Sequence, residues 1–143
     1  MKANFILYQN YAIHFDNKHL DLHNNFDFEE FFYNIEKRQL TLHWKGVKAD
    51  WVPADNPSKL IITIYEVGFL KIVPRDNEMP FSEDTCLNDL TYYSSSEREE
   101  DECVYGQEKP TENDDIIFKF QSGQIIRAKG SEVKVIVRCD SNK

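Results

Sequence analysis

Alternation of apolar and polar residues with a period of two is the feature that most constrains the fold of this chain. The segment KRQLTLHWKG places Leu40, Leu42 and Trp44 on one side of an extended backbone and polar residues on the other. Near the end of the chain, EVKVIVR repeats the pattern from Val133 to Val137. This is the period of a half-buried β-strand, not of an amphipathic helix. The sequence therefore predicts a mainly β protein.

The segment KLIITIYEVGFLKIVP carries the strongest hairpin signal in the chain. Its two runs of β-branched, aliphatic and aromatic residues, Leu60–Tyr65 and Phe69–Val73, are separated by only three residues. The last of these is Gly68, which can adopt the positive φ that short turns require. We therefore predict a hairpin over this segment.

A second hairpin is predicted in DDIIFKFQSGQIIRAKG. Here Ile116–Phe120 and Gln124–Ala128 flank a turn at Ser122 and Gly123. Because the alternating segment Val133–Val137 follows directly, we expect the C-terminal third to be a three-stranded meander.

The first residues of the chain, FILYQNYAIHF, predict two short strands around Gln9 and Asn10. The sequence DNK after Phe15 predicts a turn. These strands are expected to pair with the C-terminal meander, because sheet edges must be covered or blunted.

The segment FDFEEFFYNIEKRQL allows two interpretations. Asp27 could cap a helix with Glu30 at the third position, which is a capping-box arrangement. The aromatic run Phe31–Tyr33 instead favours a strand, with Asn34–Arg38 closing a hairpin onto Leu40–Trp44. We favour the strand.

A short helix is predicted at SEDTCLNDL, with Ser82 as N-cap and two acidic residues in its first turn. A chain of 143 residues has the length of one domain. The predicted fold is a single-domain antiparallel β-sandwich or open barrel over residues 1–143, with at most one or two short helices and a long acidic loop.

Negative charge is concentrated in one connecting segment. Residues 75–115 hold 14 acidic and 3 basic side chains, whereas the rest of the chain holds 11 acidic and 14 basic ones. The densest part is SSSEREEDEC, from Ser94 to Cys103. Such a block repels itself and resists collapse, which favours a solvated, partly disordered loop.

An alternative interpretation is an anionic surface that attracts a cationic protein partner. Loops of about 20 residues inside compact domains are often functional, and tyrosine is a favoured interface anchor. The candidate partner-binding residues are Tyr92, Tyr93, Glu99, Glu100, Asp101, Glu102 and Tyr105. Both interpretations remain open from the sequence.

No motif predicts catalysis, a cofactor or a metal centre. His19 and His23 share a strand face but lie too far apart for a tight pair, and no calcium-loop pattern is present. A Cys–His pair could be drawn from Cys86, Cys103 or Cys139, yet none has a nucleophile context. We predict a protein that is not an enzyme.

Other classes of partner are weakly supported. Arg127, Lys129, Lys134 and Arg138 form a mildly basic patch, which we interpret as the polar face of a sheet because the sequence pI is near 5.0. We therefore expect no nucleic acid partner. With no secretory or membrane-spanning signal and widely spaced cysteines, we expect a cytoplasmic protein that is not bound to a membrane.

A competing hypothesis from another class is a small-molecule or carbohydrate-binding protein, or an unrecognised enzyme. Its pocket would lie near Trp44 and Trp51, although a tryptophan at a strand end more often packs in the core.

Several stretches together resemble a known type of protein. They are LHNNF, FFYN, LTLHW, the block from Trp51 to Leu87 and IIFKFQSGQIIRAKG. The chain resembles small bacterial β-rich proteins of the immunity type, which accompany toxins in loci of interbacterial competition. The resemblance implies a cytoplasmic, non-enzymatic protein whose partner is a protein, such as a basic toxin domain. It assigns no role to any single residue.

Overall fold

The computed structural model describes residues 1–101 and 107–140, and it is mainly β. Twelve strands form three sheets, with one short 3-10 helix among the described residues. The two larger sheets pack face to face in a sandwich-like arrangement. The prediction of a mainly β fold is confirmed.

The five-stranded sheet has the order β1-β12-β7-β6-β5. Its strands are β1 (Lys2–Ala3), β12 (Glu132–Arg138), β7 (Lys59–Tyr65), β6 (Gln39–Gly46) and β5 (Phe26–Asn34). All neighbours are antiparallel except β1 and β12, which run parallel. The N-terminal strand Lys2–Ala3 therefore pairs with the C-terminal one. The two strands predicted around Gln9 and Asn10 belong instead to a small third sheet, so the expectation that they pair with the C-terminal meander is wrong.

The four-stranded sheet has the order β8-β11-β10-β9 and is antiparallel throughout. Its strands are β8 (Phe69–Val73), β11 (Ile125–Lys129), β10 (Asp114–Phe120) and β9 (Leu87–Ser94). The small third sheet consists of β2 (Ile6–Tyr8), β3 (Ala12–Phe15) and β4 (Lys18–Asp21) in chain order.

The core lies between the two larger sheets. Trp44 of β6 contacts Phe118 of β10 with ring centroids 6.0 Å apart, and Phe28 of β5 contacts Phe120 of β10 at 4.5 Å. The small sheet contributes Leu7 and other buried residues to the same cluster. Alternate residues of each strand reach this core because successive side chains of a strand point to opposite faces.

The local strand predictions in the first half of the chain are confirmed. Phe26–Asn34 is a strand that pairs with β6, so the alternative helix capped by Asp27 is wrong. The short strands on either side of Gln9 and Asn10 are also present. Both of these turn residues have positive φ, 46° and 65°, which suits a tight reversal.

The predicted hairpin of β7 and β8 is wrong, because the two strands belong to different sheets. Between them the backbone N–H of Val67 donates to Arg38 O over 2.9 Å, and that of Gly68 to Lys129 O over 2.9 Å. These bonds hold the connecting residues on a path from the five-stranded sheet to the four-stranded sheet. The chain therefore does not fold back along β7. The positive φ falls on Glu66, at 50°, and not on Gly68.

The predicted C-terminal meander is wrong in its third strand. The β10–β11 hairpin forms, with Gly123 at φ 89° in its turn, but β12 crosses to the other sheet and pairs with β7. At the crossing, Gly130 packs so closely that a Cβ atom there would lie 2.1 Å from Tyr65 O. Only glycine fits this approach without displacing backbone.

The connecting segment of residues 75–115 is more structured than its composition indicates. The predicted helix reduces to a 3-10 helix at Phe81–Thr85, preceded by Pro80, with no side-chain cap, so Ser82 is not the N-cap. Strand β9 begins at Leu87, inside the segment predicted as helix. Between β9 and β10, the described residues 95–101 and 107–113 form no helix or strand.

Candidate functional site

We call residues 94–101, the described part of SSSEREEDEC, the acidic segment. This segment folds back over the outer face of the four-stranded sheet. Arg127 of β11 is 0% exposed on this face and bonds to the segment at both ends. Its Nη2 donates to Ser94 O over 3.0 Å, and its Nη1 donates to Glu100 O over 3.0 Å. Arg127 was predicted to lie in an exposed basic patch with Lys134, but it is buried and on the other sheet.

Asp115, at the start of β10, is the buried anion of the same face. Its carboxylate is 0% exposed and accepts a hydrogen bond from Arg127 Nε over 2.8 Å. Arg98 of the acidic segment binds the same carboxylate in a bidentate manner, with Nε and Nη2 each donating a hydrogen bond of 3.0 Å. The Arg98 guanidinium also lies 3.7 Å from the ring centroid of Phe69. The hydrogen bond to Asp115 is the main cause that raises the pKa of Arg98.

Asp101 is the second anion. Its Oδ2 accepts from Lys71 Nζ over 2.7 Å, and its Oδ1 accepts from Arg127 Nη1 over 3.1 Å. Lys71 Nζ also donates to Arg98 O over 2.9 Å. Burial alone would raise the pKa of Asp101, but these two cations outweigh burial and hold the pKa below its ordinary value.

Lys71, Arg98, Asp101, Asp115 and Arg127 together form an ion-pair network. The network joins strands β8, β11 and β10 to the acidic segment. Each buried charge faces opposite charges and hydrogen-bond partners, which is the condition under which buried charges are tolerated. These contacts hold the described residues 94–101 against the sheet, while Glu97, Glu99 and Glu100 remain exposed to solvent on the outer side.

The exposed side of this segment is acidic and concave. Glu97, Glu99 and Glu100 are exposed, and together with Tyr93 they line a surface depression of about 570 Å³. Tyr93 is half-buried, and its hydroxyl donates to Glu97. We call the surface of Tyr93 and residues 95–100 the acidic depression. Its chemistry suits a cationic group such as a lysine or arginine side chain.

The structure places the five described residues of the predicted partner-binding set in three different settings. Tyr93, Glu99 and Glu100 line the acidic depression. Tyr92 is 0% exposed in the core, where burial and then the charge of Asp114 raise the pKa of its hydroxyl, so its ring is not available to a partner. Asp101 belongs to the ion-pair network.

The remaining two of these residues, Glu102 and Tyr105, lie outside the described residues. Sequence reasoning missed Arg127 and Asp115. The available signal was an arginine inside the apolar run QIIRAK and an aspartate pair that opens the strand DDIIFKF.

Among the described residues, the structure brings together one Cys–His pair, but without an activated thiol. Cys86 Sγ lies 3.5 Å from His23 Nδ1, and the same nitrogen donates to Leu87 O over 2.7 Å. Because Nδ1 carries this proton, it cannot accept one from the thiol. Burial, followed by the charges of Glu83 and Asp27, raises the pKa of Cys86. This thiol is therefore a poor nucleophile.

The pocket predicted near Trp44 and Trp51 does not form. Trp44 is 0% exposed between the sheets, whereas Trp51 is 69% exposed on a loop. The cleft of about 530 Å³ beside that loop is lined by neither tryptophan. Its charged residues include Lys48 and Asp140, which form an exposed ion pair at 3.6 Å.

Comparison with known proteins adds no assignment: no family model, curated protein or solved structure matches this chain. Within residues 1–101 and 107–140, no helix has the length and apolar character needed to cross a membrane.

Proposed function

We propose that this protein is a non-catalytic binding module that receives a basic protein partner on the acidic depression. The observation that carries the proposal is the ion-pair network, because it fixes the backbone from which Glu97, Glu99 and Glu100 project. A surface that is already ordered loses less conformational entropy on binding than a mobile loop does.

The ion-pair network does not include the exposed carboxylates of Glu97, Glu99 and Glu100, so a partner can bind them. Lys71, Arg98 and Arg127 direct their cationic groups at Asp101, Asp115 and backbone oxygens. Arg98 also lines the depression, but its charge is paired with Asp115 and three exposed glutamates outnumber it. The outward charge of the depression is therefore negative. We expect this charge to accelerate encounter with a cationic partner, and Tyr93 to supply the anchoring contact at its wall.

A basic toxin domain is the partner class that we propose, in a cytoplasmic setting. Support comes from the resemblance to immunity-type proteins and from the charge of the depression. A toxin that acts on nucleic acid or on an anionic substrate needs a cationic surface, and a rigid acidic depression is complementary to it.

The test compares the protein with a variant in which Glu97, Glu99 and Glu100 are all replaced by glutamine. Each protein is immobilised and offered a cell lysate of its own host at low and at physiological salt. We expect a basic protein to be retained by the unchanged chain and lost from the variant. With that protein purified, the association rate should fall at least tenfold in the variant and depend less on salt.

A matched variant with Glu30, Glu36 and Glu78 replaced by glutamine makes the same change of net charge at exposed positions elsewhere. It should retain the partner. If no protein distinguishes the two variants, or if both lose it equally, the acidic depression is not the binding surface.

A further inference from the structure

Two histidines face each other in the small sheet, away from the acidic depression. His14 of β3 and His19 of β4 are directly opposite residues in the antiparallel register. Their rings meet with His14 Nε2 only 2.8 Å from His19 Nδ1. In a hydrogen bond between two imidazoles, one nitrogen donates its N–H and the other accepts it through its lone pair, so the two nitrogens point at each other.

Neighbouring residues hold these rings in place. The turn between the strands has Asp16 and Asn17 at φ 52° and 62°, which fixes the register that opposes the two histidines. Tyr8 of β2 stacks on His14 with ring centroids 4.9 Å apart and meets His19 edge-on at 5.3 Å. The pair is therefore positioned before any ligand arrives.

We propose that His14 and His19 chelate a divalent transition metal ion such as Zn²⁺ or Ni²⁺ through Nε2 and Nδ1. Metal–nitrogen bonds of about 2.0–2.1 Å at a tetrahedral angle require the two nitrogens to lie about 3.3 Å apart. A small rotation of the two exposed rings lengthens the distance between these nitrogens from 2.8 Å to this value. Neutral imidazole is a suitable ligand for zinc, copper and nickel.

The surroundings leave room for the rest of the coordination shell. The two rings open onto a surface cleft of about 430 Å³, which Asp16 and Lys18 also line. Within the described ranges no three metal-ligating side chains are grouped. Water or a donor atom of another molecule therefore completes the coordination, and the affinity is that of a two-ligand chelate.

Sequence spacing draws attention to His19 and His23, which lie too far apart along one strand for a tight pair, whereas the fold brings His19 against His14. His23 instead binds Leu87 O. The reason is geometric: residues directly opposite in a hairpin are closer than residues four apart along one strand.

The test is a titration of the protein with Zn²⁺ at pH 7.5, followed through the ring nitrogens of all four histidines by long-range proton–nitrogen correlation spectra. Cys103 and Cys139 are replaced by serine beforehand, because thiolates also bind zinc. We expect His14 Nε2 and His19 Nδ1 to shift together and saturate at one ion per chain.

Single variants decide whether the two rings act as a chelate. H14Q and H19Q should each weaken zinc binding at least tenfold, because loss of one arm removes the effective concentration of the other. H23Q should bind zinc like the parent. The proposal is overturned if H14Q or H19Q binds zinc as tightly as the parent, or if zinc shifts the nitrogens of His23 or His43 instead. Circular dichroism of each variant confirms that the sheet is intact.

Discussion

Arg127 Nε donates a hydrogen bond of 2.8 Å to Asp115 Oδ2, and both side chains are 0% exposed on the outer face of a β-sheet. A sheet face of this kind ordinarily meets water. Here it is covered by the acidic segment, and the buried pair is the centre of the contact. The segment with the densest negative charge is therefore held in place by the cations beneath it.

Replacing Arg127 with methionine should lower the free energy of unfolding by about 3–5 kcal/mol, because Asp101 and Asp115 then lose a buried cationic partner. Urea denaturation at pH 7 measures this. Lys129→Met, two residues along the same strand, is the control and should change stability by less than about 1 kcal/mol. Equal losses in the two variants would show that the ion-pair network contributes no more than an ordinary half-buried lysine.

Asp101→Asn should destabilise the protein at pH 7 but not in acid. The pKa of Asp101 lies below its ordinary value in the folded protein, so the folded state binds fewer protons than the unfolded state in the range just below pH 4. The stabilisation by its charge is complete above that pH and is lost as pH falls through the folded pKa. The difference in unfolding free energy between the two proteins should therefore narrow as pH falls below about 4. A parallel series with Glu99→Gln, at an exposed position, should show no such convergence.

His43→Leu should raise stability, and more at pH 5 than at pH 7.5. Both ring nitrogens of His43 are buried without a hydrogen-bond partner among the described residues, and the ring stacks on Phe32 at 5.4 Å. Burial, followed by the charge of Lys59, lowers the pKa of His43. The unfolded state therefore binds the extra proton first, and stability falls as pH drops below about 6.5.

The gain at pH 7.5 should be about 1–3 kcal/mol, as expected for removal of unsatisfied buried polar atoms. Chemical denaturation at the two pH values provides the measurement. Thr41→Val, on the same sheet face, has no titratable group and should show no pH-dependent gain. A His43 variant whose stability advantage is independent of pH would contradict the assigned cause.

Gly130→Ala should cost about 1–3 kcal/mol, because the added methyl group would lie 2.1 Å from Tyr65 O and 2.9 Å from Ile64 Cγ2. Gly68→Ala is the matched control at the other crossing between the sheets. Its added Cβ would meet nothing within 4 Å. Thermal unfolding should therefore separate the two variants by several degrees. Similar melting temperatures would mean that the chain at Gly130 can shift without cost.

The elements that could be predicted from sequence are those set by near neighbours. The strand Phe26–Asn34, its hairpin with β6 and the hairpin of β10 and β11 all depend on a local pattern and a short turn. The crossings could not be predicted in this way. Strands β7 and β12 pair over a long separation in sequence, and the pattern of a strand specifies which face is buried but not which strand lies beside it.

The candidate site shows the same limit. Net charge identified the acidic segment, and Glu99 and Glu100 are indeed exposed there. A count of charged residues could not show that Arg127 pairs with both Asp101 and Asp115, or that Arg98 pairs with Asp115. These residues meet only after β10 and β11 have paired. Charge composition predicts repulsion along the chain, whereas stability depends on which charges the fold brings into contact.

The parallel pairing of β1 with β12 bears on how the protein is made. Strand β12 lies between β1 and β7, so an inner position of the five-stranded sheet is filled by a strand that is translated after its four neighbours in the sheet. Until Glu132–Arg138 leaves the ribosome, β7 has an open edge lined with isoleucine and no partner on that side. Open apolar edges promote aggregation. Completion of this sheet therefore waits for β12, and a message truncated before Glu132 would yield an aggregation-prone product.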